Sequence, residues 1–351
     1  MTLRIGIGLF TGQVPPGSDR TFAQEYREML ELVRLAEALG FDSAWVSEHH
    51  GASDGYLPSL LTMLAGFAAA TDRMRLGTGV VLTPLHDPLR LAEDAAVVDQ
   101  LSGGRLTLGL GIAWRPEEFR MFGVPFSERL ARTVDTVEIL RRAWTGERFS
   151  FDGEVFHYDR VRVTPPPAQE GGPPILLGGY VEAAMRRAGR IGDGHITDAE
   201  DVEAVRHAAA LMEEGAREAG RDPTAIEVFI RLPVSLGDPP DVARFMARRL
   251  LTGYAIVPAY NASLARQGFA DEAGEIAGAW AAGQRDRATE AFTDELLDAT
   301  FLLGDADASK RRIQEFRDAG VTTPVLMPIS VAGTMEERAE RVSDLVEALA
   351  P

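Results

Sequence analysis

The residues best suited to chemistry in this sequence are Glu48, His49 and His50, which lie just after the apolar run from Phe41 to Val46. A histidine side chain exchanges a proton near neutral pH, so it can act as a general acid or base. The chain of 351 residues has only six histidines, and two of them are adjacent here. An apolar strand that ends in a carboxylate and two imidazoles brings ionisable groups to one edge of a fold, so we expect proton chemistry at this segment.

A metal site is not predicted at the same segment. Neighbouring residues of a strand point to opposite faces, so three consecutive side chains from Glu48 to His50 make a poor chelate. His86 and Asp87 would add two ligands. Their position directly before Pro88 instead indicates an exposed loop.

Composition narrows the class of protein. With 36 basic and 53 acidic residues, the formal net charge is −17, which argues against nucleic acid or an anionic membrane as a partner. The apolar share of 45% is typical of a globular protein. No window of 18 apolar residues and no signal-peptide core is present, so we expect a cytoplasmic location.

Two residue types are almost absent. The sequence has no cysteine, which excludes thiol nucleophiles, thiolate metal sites and disulfides. Its single lysine, Lys310, lies in a polar stretch that indicates an exposed helix start. Schiff-base and pyridoxal phosphate chemistry need a desolvated lysine, so neither is expected.

Apolar runs typical of strands alternate with amphipathic helical patterns along the chain. The predicted strands are Arg4–Phe10, Asp42–Ser47, Met74–Leu82, Arg105–Leu110, Pro174–Gly178, Asp193–Thr197, Glu227–Ser235 and Pro324–Ile329. The predicted helices are Thr21–Leu39, Leu57–Ala70, Pro88–Leu101, Ser127–Trp144, Val181–Arg190, Val202–Ala219, a helical tract over Asp241–Asp298, and Thr334–Leu349. Eight strands, each followed by a helix, predict a (β/α)₈ TIM barrel. A doubly wound open sheet is the alternative, because strand order cannot be read from sequence.

The barrel must accommodate about 100 residues beyond the typical ~250. Near alternation of apolar residues over 146–167 predicts a hairpin inserted before strand five. The segment 236–304 shows no strand pattern and predicts a helical insertion after strand seven. We expect one domain over residues 1–351, since no linker or repeat is present.

Several glycine motifs have a functional and a plain structural interpretation. Gly178 and Gly179 follow an apolar run and precede a helix, where backbone N–H groups bind an anion; a tight βα turn is as probable. Gly77 and Gly79 lie inside a strand and mark either close approach of a ligand or packing. Gly51 to Gly55 fits the hydrolase nucleophile elbow, but the required strand–motif–helix context is missing.

These motifs together resemble the bacterial luciferase-like flavin-dependent oxidoreductases over almost the full chain. The resemblance rests on the order and spacing of short segments. They are Glu48-His49-His50, Arg75 to Gly79, Pro88 to Asp94, Asp99 to Leu106, Gly109-Leu110-Gly111, Glu118 to Gly123, Pro174 to Gly179 and Gly192-Asp193-Gly194.

The resemblance implies a barrel, usually dimeric, that binds reduced FMN or the related 8-hydroxy-5-deazaflavin coenzyme at the carboxyl ends of its strands. It implies that His49 is the catalytic residue, moving a proton or hydrogen-bonding a flavin peroxide. It also implies a non-prolyl cis peptide at Gly79–Val80 that contacts the cofactor. Trp114, His195 and Thr197 are expected to lie beside the flavin ring. Gly178, Gly179 and Tyr180 are expected to bind the cofactor phosphate. The expected substrate pocket contains Phe10, His50 and Trp114.

The sequence departs from the luciferases at several of these positions. Ile112 stands where an arginine grips the phosphate, with Arg115 as a nearby substitute, and Gly111 stands where a reactive cysteine lies beside the flavin. These changes argue against light emission and long-chain aldehyde substrates. The tract from Gly253 to Trp280 is more similar to members that use deazaflavin, whereas those members often carry Asp-His in place of Glu-His-His.

The predicted function is a monooxygenase that uses reduced FMN and O₂ to oxygenate a small organic substrate through a C4a-peroxyflavin. A separate flavin reductase, bound transiently, would supply the reduced FMN, and the chain is expected to form a homodimer. The alternative is a deazaflavin-dependent oxidoreductase that transfers hydride without O₂. A ligand-binding barrel without turnover and a hydrolase also stay open.

Overall fold

The computed structural model describes residues 4–198, 200–329 and 335–350 of the chain. Its strands are β1 (Gly6–Phe10), β2 (Ser43–Val46), β3 (Arg75–Thr78), β4 (Val81–Leu82), β5 (Leu106–Gly111), β6 (Phe149–Asp152), β7 (His157–Val161), β8 (Ile175–Gly178), β9 (Gly194–Asp198), β10 (Glu227–Leu236), β11 (Leu302–Gly304) and β12 (Thr323–Pro328). Its α-helices are α1 (Phe22–Ala38), α2 (Leu60–Ala70), α3 (Pro88–Ser102), α4 (Pro116–Phe122), α5 (Arg129–Ala143), α6 (Glu182–Ile191), α7 (Val202–Glu218), α8 (Pro240–Ala255), α9 (Pro258–Arg266), α10 (Ala270–Ala281), α11 (Arg285–Glu290), α12 (Asp294–Thr300), α13 (Ala306–Asp318) and α14 (Met335–Ala348).

The strand order is that of a closed sheet. Hydrogen-bonded neighbours follow the order β1, β2, β3, β5, β8, β9, β10, β12, and β12 pairs with β1 again. The strand pairs of this sheet whose register is described are parallel, as in β2 with β3, where Ser43 pairs with Arg75 and Val46 with Thr78. Eight parallel strands closed in this way form a (β/α)₈ barrel, so the predicted fold class is confirmed and the open sheet is excluded.

The third predicted strand is interrupted. Residues predicted as one strand over Met74–Leu82 form β3 and β4, with Gly79 and Val80 between them. The peptide bond Gly79–Val80 is cis, as the family resemblance implies. Both halves pair with β5, where Leu76 lies opposite Leu106 and Val81 opposite Leu110.

Both predicted insertions are present. Strands β6 and β7 form an antiparallel hairpin before β8, and Asp135 of α5 accepts hydrogen bonds from the backbone N–H groups of its turn residues Glu154, Val155 and Phe156. The helical insertion consists of α8 to α12, not one long helical tract. The expectation that it contains no strand is wrong, since β11 pairs in parallel with the end of β10. Thr334, the predicted start of the last helix, lies outside the described residues.

The chain divides into two compact units by its contacts. The second unit comprises Leu9–Gly179 and Ile191–His195. Its core includes the fully buried Trp45 of β2 and Phe67 of α2. A Cβ added at Gly77 would lie 2.3 Å from the ring of Trp45, so packing accounts for this glycine inside β3.

The first unit comprises Met1–Gly8, Tyr180–Arg190 and Ile196–Pro351. Its helical insertion has a core of its own, which contains Leu251, Phe269, Ile276, Phe292, Leu296 and Phe301. Helices α6 and α7 touch through glycines: a Cβ at Gly189 would lie 2.0 Å from the carbonyl oxygen of Met212, and one at Gly215 would lie 2.1 Å from that of Arg186.

A membrane-spanning helix requires a certain length and hydropathy. None of the helices in the described part of the chain is both long enough and apolar enough to span a bilayer.

Candidate active site

Glu48 lies two residues beyond β2 and holds the loop that carries His49 and His50. Strand β2 is buried along its whole length, so packing in the core holds the end of the strand from which this loop starts. The Glu48 carboxylate is buried and accepts hydrogen bonds from Nε2 of His50 at 3.1 Å, Nε2 of His86 at 2.9 Å and the backbone N of Leu82 at 2.7 Å. Burial alone would raise the pKa of Glu48, but these hydrogen bonds outweigh it and lower the pKa to about 2.

His49 is held by a second buried carboxylate. Its Nδ1 lies 2.9 Å from Oε1 of Glu118, and the same oxygen accepts a hydrogen bond from the backbone N of His50 at 2.9 Å. The Glu118 side chain is 2% exposed and that of His49 is 12% exposed. A carboxylate only accepts hydrogen bonds, so Nδ1 of His49 carries the hydrogen and Nε2 is left as the proton-accepting atom.

Aromatic rings surround the His49 imidazole. Tyr56 contacts it edge to face at a centroid distance of 4.9 Å, and Trp114 does so at 6.1 Å. The guanidinium of Arg115 lies 4.7 Å from the centre of the Trp114 ring. His49, His50 and Trp114, predicted separately as catalytic and pocket residues, are thus brought to one place.

The cis peptide at Gly79–Val80 packs against glycines of β5. A Cβ at Gly109 would lie 2.1 Å from the carbonyl oxygen of Thr78, and a Cβ at Gly111 would lie 2.5 Å from the side chain of Val80. A side chain at position 111 therefore requires Val80 to move. This accounts for glycine at the position where luciferases carry a cysteine.

The predicted phosphate and ring residues after β8 and β9 fall in both units. Gly178 and Gly179 end a stretch of the second unit, and Gly179 has a φ of 152°, so its backbone lies in the region that favours glycine. His195, also in the second unit, is fully buried, and neither ring nitrogen has a hydrogen-bond partner of good geometry among the described residues. Burial lowers the pKa of His195 to about 4, against a smaller opposing effect of the Leu177 backbone, so its imidazole is neutral at pH 7.

Tyr180 belongs to a half-buried polar cluster of the first unit. Its hydroxyl donates a hydrogen bond to Asp198, which also forms an ion pair with Arg231. Tyr254 and Tyr260 complete the cluster: the Tyr254 hydroxyl lies 2.8 Å from Nη1 of Arg231, and the Tyr260 ring lies 4.3 Å from that of Tyr180. Burial first, and then the Asp198 charge, raise the pKa of Tyr180 well above its ordinary value, so the hydroxyl keeps its proton.

Thr197, a predicted ring neighbour that lies in the first unit, donates a hydrogen bond from Oγ1 to Oε2 of Glu200 at 2.9 Å. Glu200 is 1% exposed. Burial raises its pKa to about 7, and the charges of Asp198 and Asp201 act in the same direction, while the Thr197 hydrogen bond opposes them. Glu200 was not predicted from the sequence.

Of two predictions about single residues, the one for Phe10 stays a prediction and the one for His86 is wrong. Phe10, expected in the substrate pocket, packs edge to face on Phe67 at 5.4 Å. His86, expected in an exposed loop, is only 31% exposed and binds Glu48, so that expectation is wrong. Glu118 belongs to one of the segments that carry the family resemblance, and the sequence predicts no role for it.

Glu48, His50 and His86 are also the side chains most able to hold a cation among the described residues, since one ligand atom of each lies within 4.8 Å of the others. The hydrogen bonds that the two imidazoles make to one carboxylate oxygen already account for their arrangement. We therefore assign these three side chains to a hydrogen-bond network.

The chain is similar to a known family over most of its length. The sequence profile described as luciferase-like monooxygenase matches residues 4–323. The chain belongs to this family. Members of the luciferase-like family that resemble it are named as reductases, dehydrogenases and monooxygenases, so the chain is an enzyme of the oxidoreductase class.

Three relatives show the range within the luciferase-like family. The 5,10-methylenetetrahydromethanopterin reductase of Archaeoglobus fulgidus is 29% identical over 307 residues, covering 86% of this chain and 89% of that protein. The F420-dependent glucose-6-phosphate dehydrogenase of Nocardia farcinica is 35% identical over 241 residues, covering 64% of this chain and 71% of that protein. The crystal structure of the monooxygenase RslO1 from Streptomyces bottropensis matches with a TM-score of 0.75 and 30% identity, covering 99% of this chain and 98% of that one.

The second unit has features that suit a flavin-type ring. Oε2 of Glu118 is buried without a hydrogen-bond partner among the described residues, and the ring nitrogens of His195 make no hydrogen bond of good geometry there, although the Leu177 backbone lies near the ring. Buried polar atoms are normally satisfied, so unsatisfied ones mark places where a polar ligand fits. An isoalloxazine or deazaflavin ring carries carbonyl and N–H groups along one edge, and these residues therefore fit such a cofactor.

Proposed function

We propose that the chain is a monooxygenase that uses reduced FMN and O₂ to insert one oxygen atom into a small organic substrate. The similarity to the monooxygenase RslO1 supports this, since it extends over 99% of the chain. The observation that carries the proposal is the His49–Glu118 pair, in which a proton-exchanging imidazole binds one oxygen of a buried carboxylate whose other oxygen has no hydrogen-bond partner among the described residues. The second oxygen atom leaves as water, and a separate flavin reductase restores the reduced cofactor.

Reduced FMN supplies the two electrons of the reaction when it is bound. The residues of this chain do the rest. Glu118 fixes the tautomer and orientation of His49, and Nε2 of His49 takes or returns the proton that the oxygen transfer requires. Tyr56 and Trp114 pack around the imidazole and keep bulk water from it.

Cofactor binding is proposed at the residues that the family resemblance implies. The backbone N–H groups at Gly179 and Tyr180 precede α6 and would bind the phosphate with the help of the helix dipole. The neutral imidazole of His195 offers one hydrogen-bond donor and one acceptor to the polar edge of the ring. Gly79, Val80, Gly178 and Thr197 stay predicted cofactor contacts. His50 lines the proposed substrate pocket with Trp114, and Phe10 is retained there as a prediction.

A second candidate is hydride transfer with the deazaflavin coenzyme F420. The observation that favours it is the 35% identity to an F420-dependent dehydrogenase. In this case His49 would take a proton from a substrate hydroxyl while the cofactor accepts the hydride, and O₂ would play no part. The homodimer, the reductase partner and the cytoplasmic location stay predictions under both candidates.

Parallel titrations of the purified protein with reduced FMN and reduced F420, without oxygen, separate the two candidates. The proposal expects tight binding of FMN and oxygen consumption when air is admitted with substrate. Binding of F420 alone would overturn it.

The His49→Ala variant tests the catalytic assignment. It should lose turnover by a factor of about 10² to 10⁴ while still binding the cofactor. The matched control is His157→Ala, whose exposed ring pairs with Asp152 on the hairpin and should leave turnover unchanged. Wild-type activity in His49→Ala would refute the assigned role.

A further inference from the structure

Glu48 joins two imidazoles through a single oxygen atom. Its Oε1 lies 2.9 Å from Nε2 of His86 and 3.1 Å from Nε2 of His50. Its Oε2 is held separately by the backbone N of Leu82. Each imidazole is therefore joined to the Glu48 carboxylate by one hydrogen bond, along which a proton can transfer.

The two imidazoles differ in their access to solvent. His86 is 31% exposed and lines a groove of about 730 Å³, together with Leu61, Thr62, Arg90, Asp94 and Val97. His50 is 9% exposed, its ring packs on Phe122 at 4.5 Å, and its backbone N binds the same Glu118 oxygen as His49. The network thus begins at an open groove and ends on the loop that carries His49.

The charges around His86 favour a proton at the groove end. Burial alone would lower the pKa of His86, but the carboxylates of Glu48 and Asp94 outweigh it and raise the pKa. From α3, Arg90 forms ion pairs with Glu93 and Asp94 at the groove. Asp87 follows His86 in the chain and accepts a hydrogen bond from the Tyr158 hydroxyl at 3.3 Å.

We propose that His86, Glu48 and His50 form a proton path between solvent in the groove and the loop that carries His49. The ring of His86 takes up a proton from the groove and passes the proton on Nε2 to Oε1 of Glu48. His50 accepts it on Nε2 while its own hydrogen is on Nδ1, releases the Nδ1 hydrogen to the pocket, and so ends with the hydrogen on Nε2 that donates to Glu48. Each transfer breaks one N–H or O–H bond and forms another, and no group is oxidised or reduced.

The path rests on the proposed function, which places His50 in the substrate pocket. His49 remains the residue that acts on the reacting atoms, and the three groups of the path exchange protons between solvent and that pocket. Their contribution should therefore grow as solvent protons become scarce above pH 7.

Chemical rescue tests the path in the enzyme loaded with its cofactor. His86→Ala should lower turnover by about 10-fold or more at pH 8, and added imidazole should restore it by entering the groove. Substituted imidazoles of different pKa should restore it to different extents, in order of their pKa. His157→Ala should show neither loss nor rescue. Full activity of His86→Ala, or a loss that no imidazole restores, would overturn the path. Should His86→Ala fail to fold, His86→Gln should lower turnover at pH 8 in the same way, because its amide does not titrate, and full activity of His86→Gln would then overturn the path.

A second measurement needs no cofactor and no activity. NMR titration of the histidine rings, with His86 assigned from the spectrum of His86→Gln, should show that Glu48→Gln lowers the His86 pKa by about one unit or more. An unchanged His86 pKa would overturn the path even if the enzyme proved to use FMN. A divalent cation that copurifies in stoichiometric amount and is lost in His86→Gln would also overturn it, because the cation would occupy both Nε2 atoms.

Discussion

Glu118 accepts a hydrogen bond from Nδ1 of His49 at 2.9 Å, across 69 residues of sequence. The contact joins the loop after β2 to the short helix α4, which begins at Pro116 after β5. Because the same Glu118 oxygen also binds the backbone N of His50, one carboxylate fixes both the ring and the main chain of the loop.

Replacing Glu118 by Gln should therefore lower turnover without unfolding the protein. The neutral amide no longer favours the hydrogen on Nδ1 or stabilises a protonated ring, and we expect a loss of about 10²-fold, within the usual contribution of general acid–base catalysis. Steady-state kinetics measure this loss. The control is Glu117→Gln, since Glu117 is 71% exposed and pairs only with Arg120 in the described contacts. Equal kinetics of Glu118→Gln and Glu117→Gln would contradict the role of Glu118.

Glu48 should stabilise the fold in a pH-dependent manner. Its pKa is depressed from 4.5 to about 2, so its contribution is fully present above pH 4.5 and is lost as the pH falls through about 2. The difference in the free energy of unfolding between wild type and Glu48→Gln should be on the order of 3 kcal/mol at pH 7. Denaturant unfolding between pH 7 and pH 3 measures it, and the difference should begin to shrink below pH 4.5. The control is Glu93→Gln, on an exposed face of α3. A difference in unfolding free energy between wild type and Glu48→Gln that stays constant over this pH range would contradict the lowered pKa of Glu48.

Glu200 should have the opposite effect. Its pKa is raised from 4.5 to about 7, so the wild type should lose stability as the pH rises from about 4.5 to 7, when the buried carboxyl must ionise. Glu200→Gln removes this loss and should be more stable than wild type at pH 8, by up to about 3 kcal/mol, but not at pH 4.5. Thermal unfolding at both pH values checks this, with Glu203→Gln as the exposed control on α7. A stabilisation of equal size at the two pH values would show that ionisation is not its cause.

A matched pair of glycines tests the packing at the cis peptide. Gly109→Ala places a Cβ 2.1 Å from the Thr78 carbonyl oxygen and should destabilise the fold by about 1–3 kcal/mol through overpacking. Gly253→Ala, in α8, meets no atom within 4 Å and should stabilise it by roughly 0.5–1 kcal/mol through helix propensity. Denaturant midpoints of the two variants give the comparison. Tolerance of alanine at position 109 would contradict the close contact.

Local patterns in the sequence predicted the elements that carry the site. The apolar run before Glu48 is β2, and the alternation of strands and helices gave the barrel count. The sequence also contained signals for the division of the helical tract, because Pro258 starts α9, while Gly268 and Gly283, both with positive φ, precede α10 and α11. Strand β11 has only three residues, too few for a pattern of alternation to appear.

The partners of the histidines could not be predicted in the same way. His86 lies 38 residues from Glu48, and Glu118 lies 69 from His49. Hydrophobic periodicity describes neighbours within an element and carries no information on which distant side chains meet. Glu118 lies in a seven-residue helix directly after Glu117, and the sequence alone does not show which of these two carboxylates is buried.

The contact between α6 and α7 limits which residues the first unit can tolerate at two positions. Where Gly189 faces the carbonyl oxygen of Met212 and Gly215 faces that of Arg186, the two main chains meet with no side chain between them. The separation of these helices is therefore set by backbone atoms, which are the same in every protein. Side chains elsewhere on α6 and α7 can be exchanged without altering that separation, whereas any residue larger than glycine at position 189 or 215 would force the helices apart.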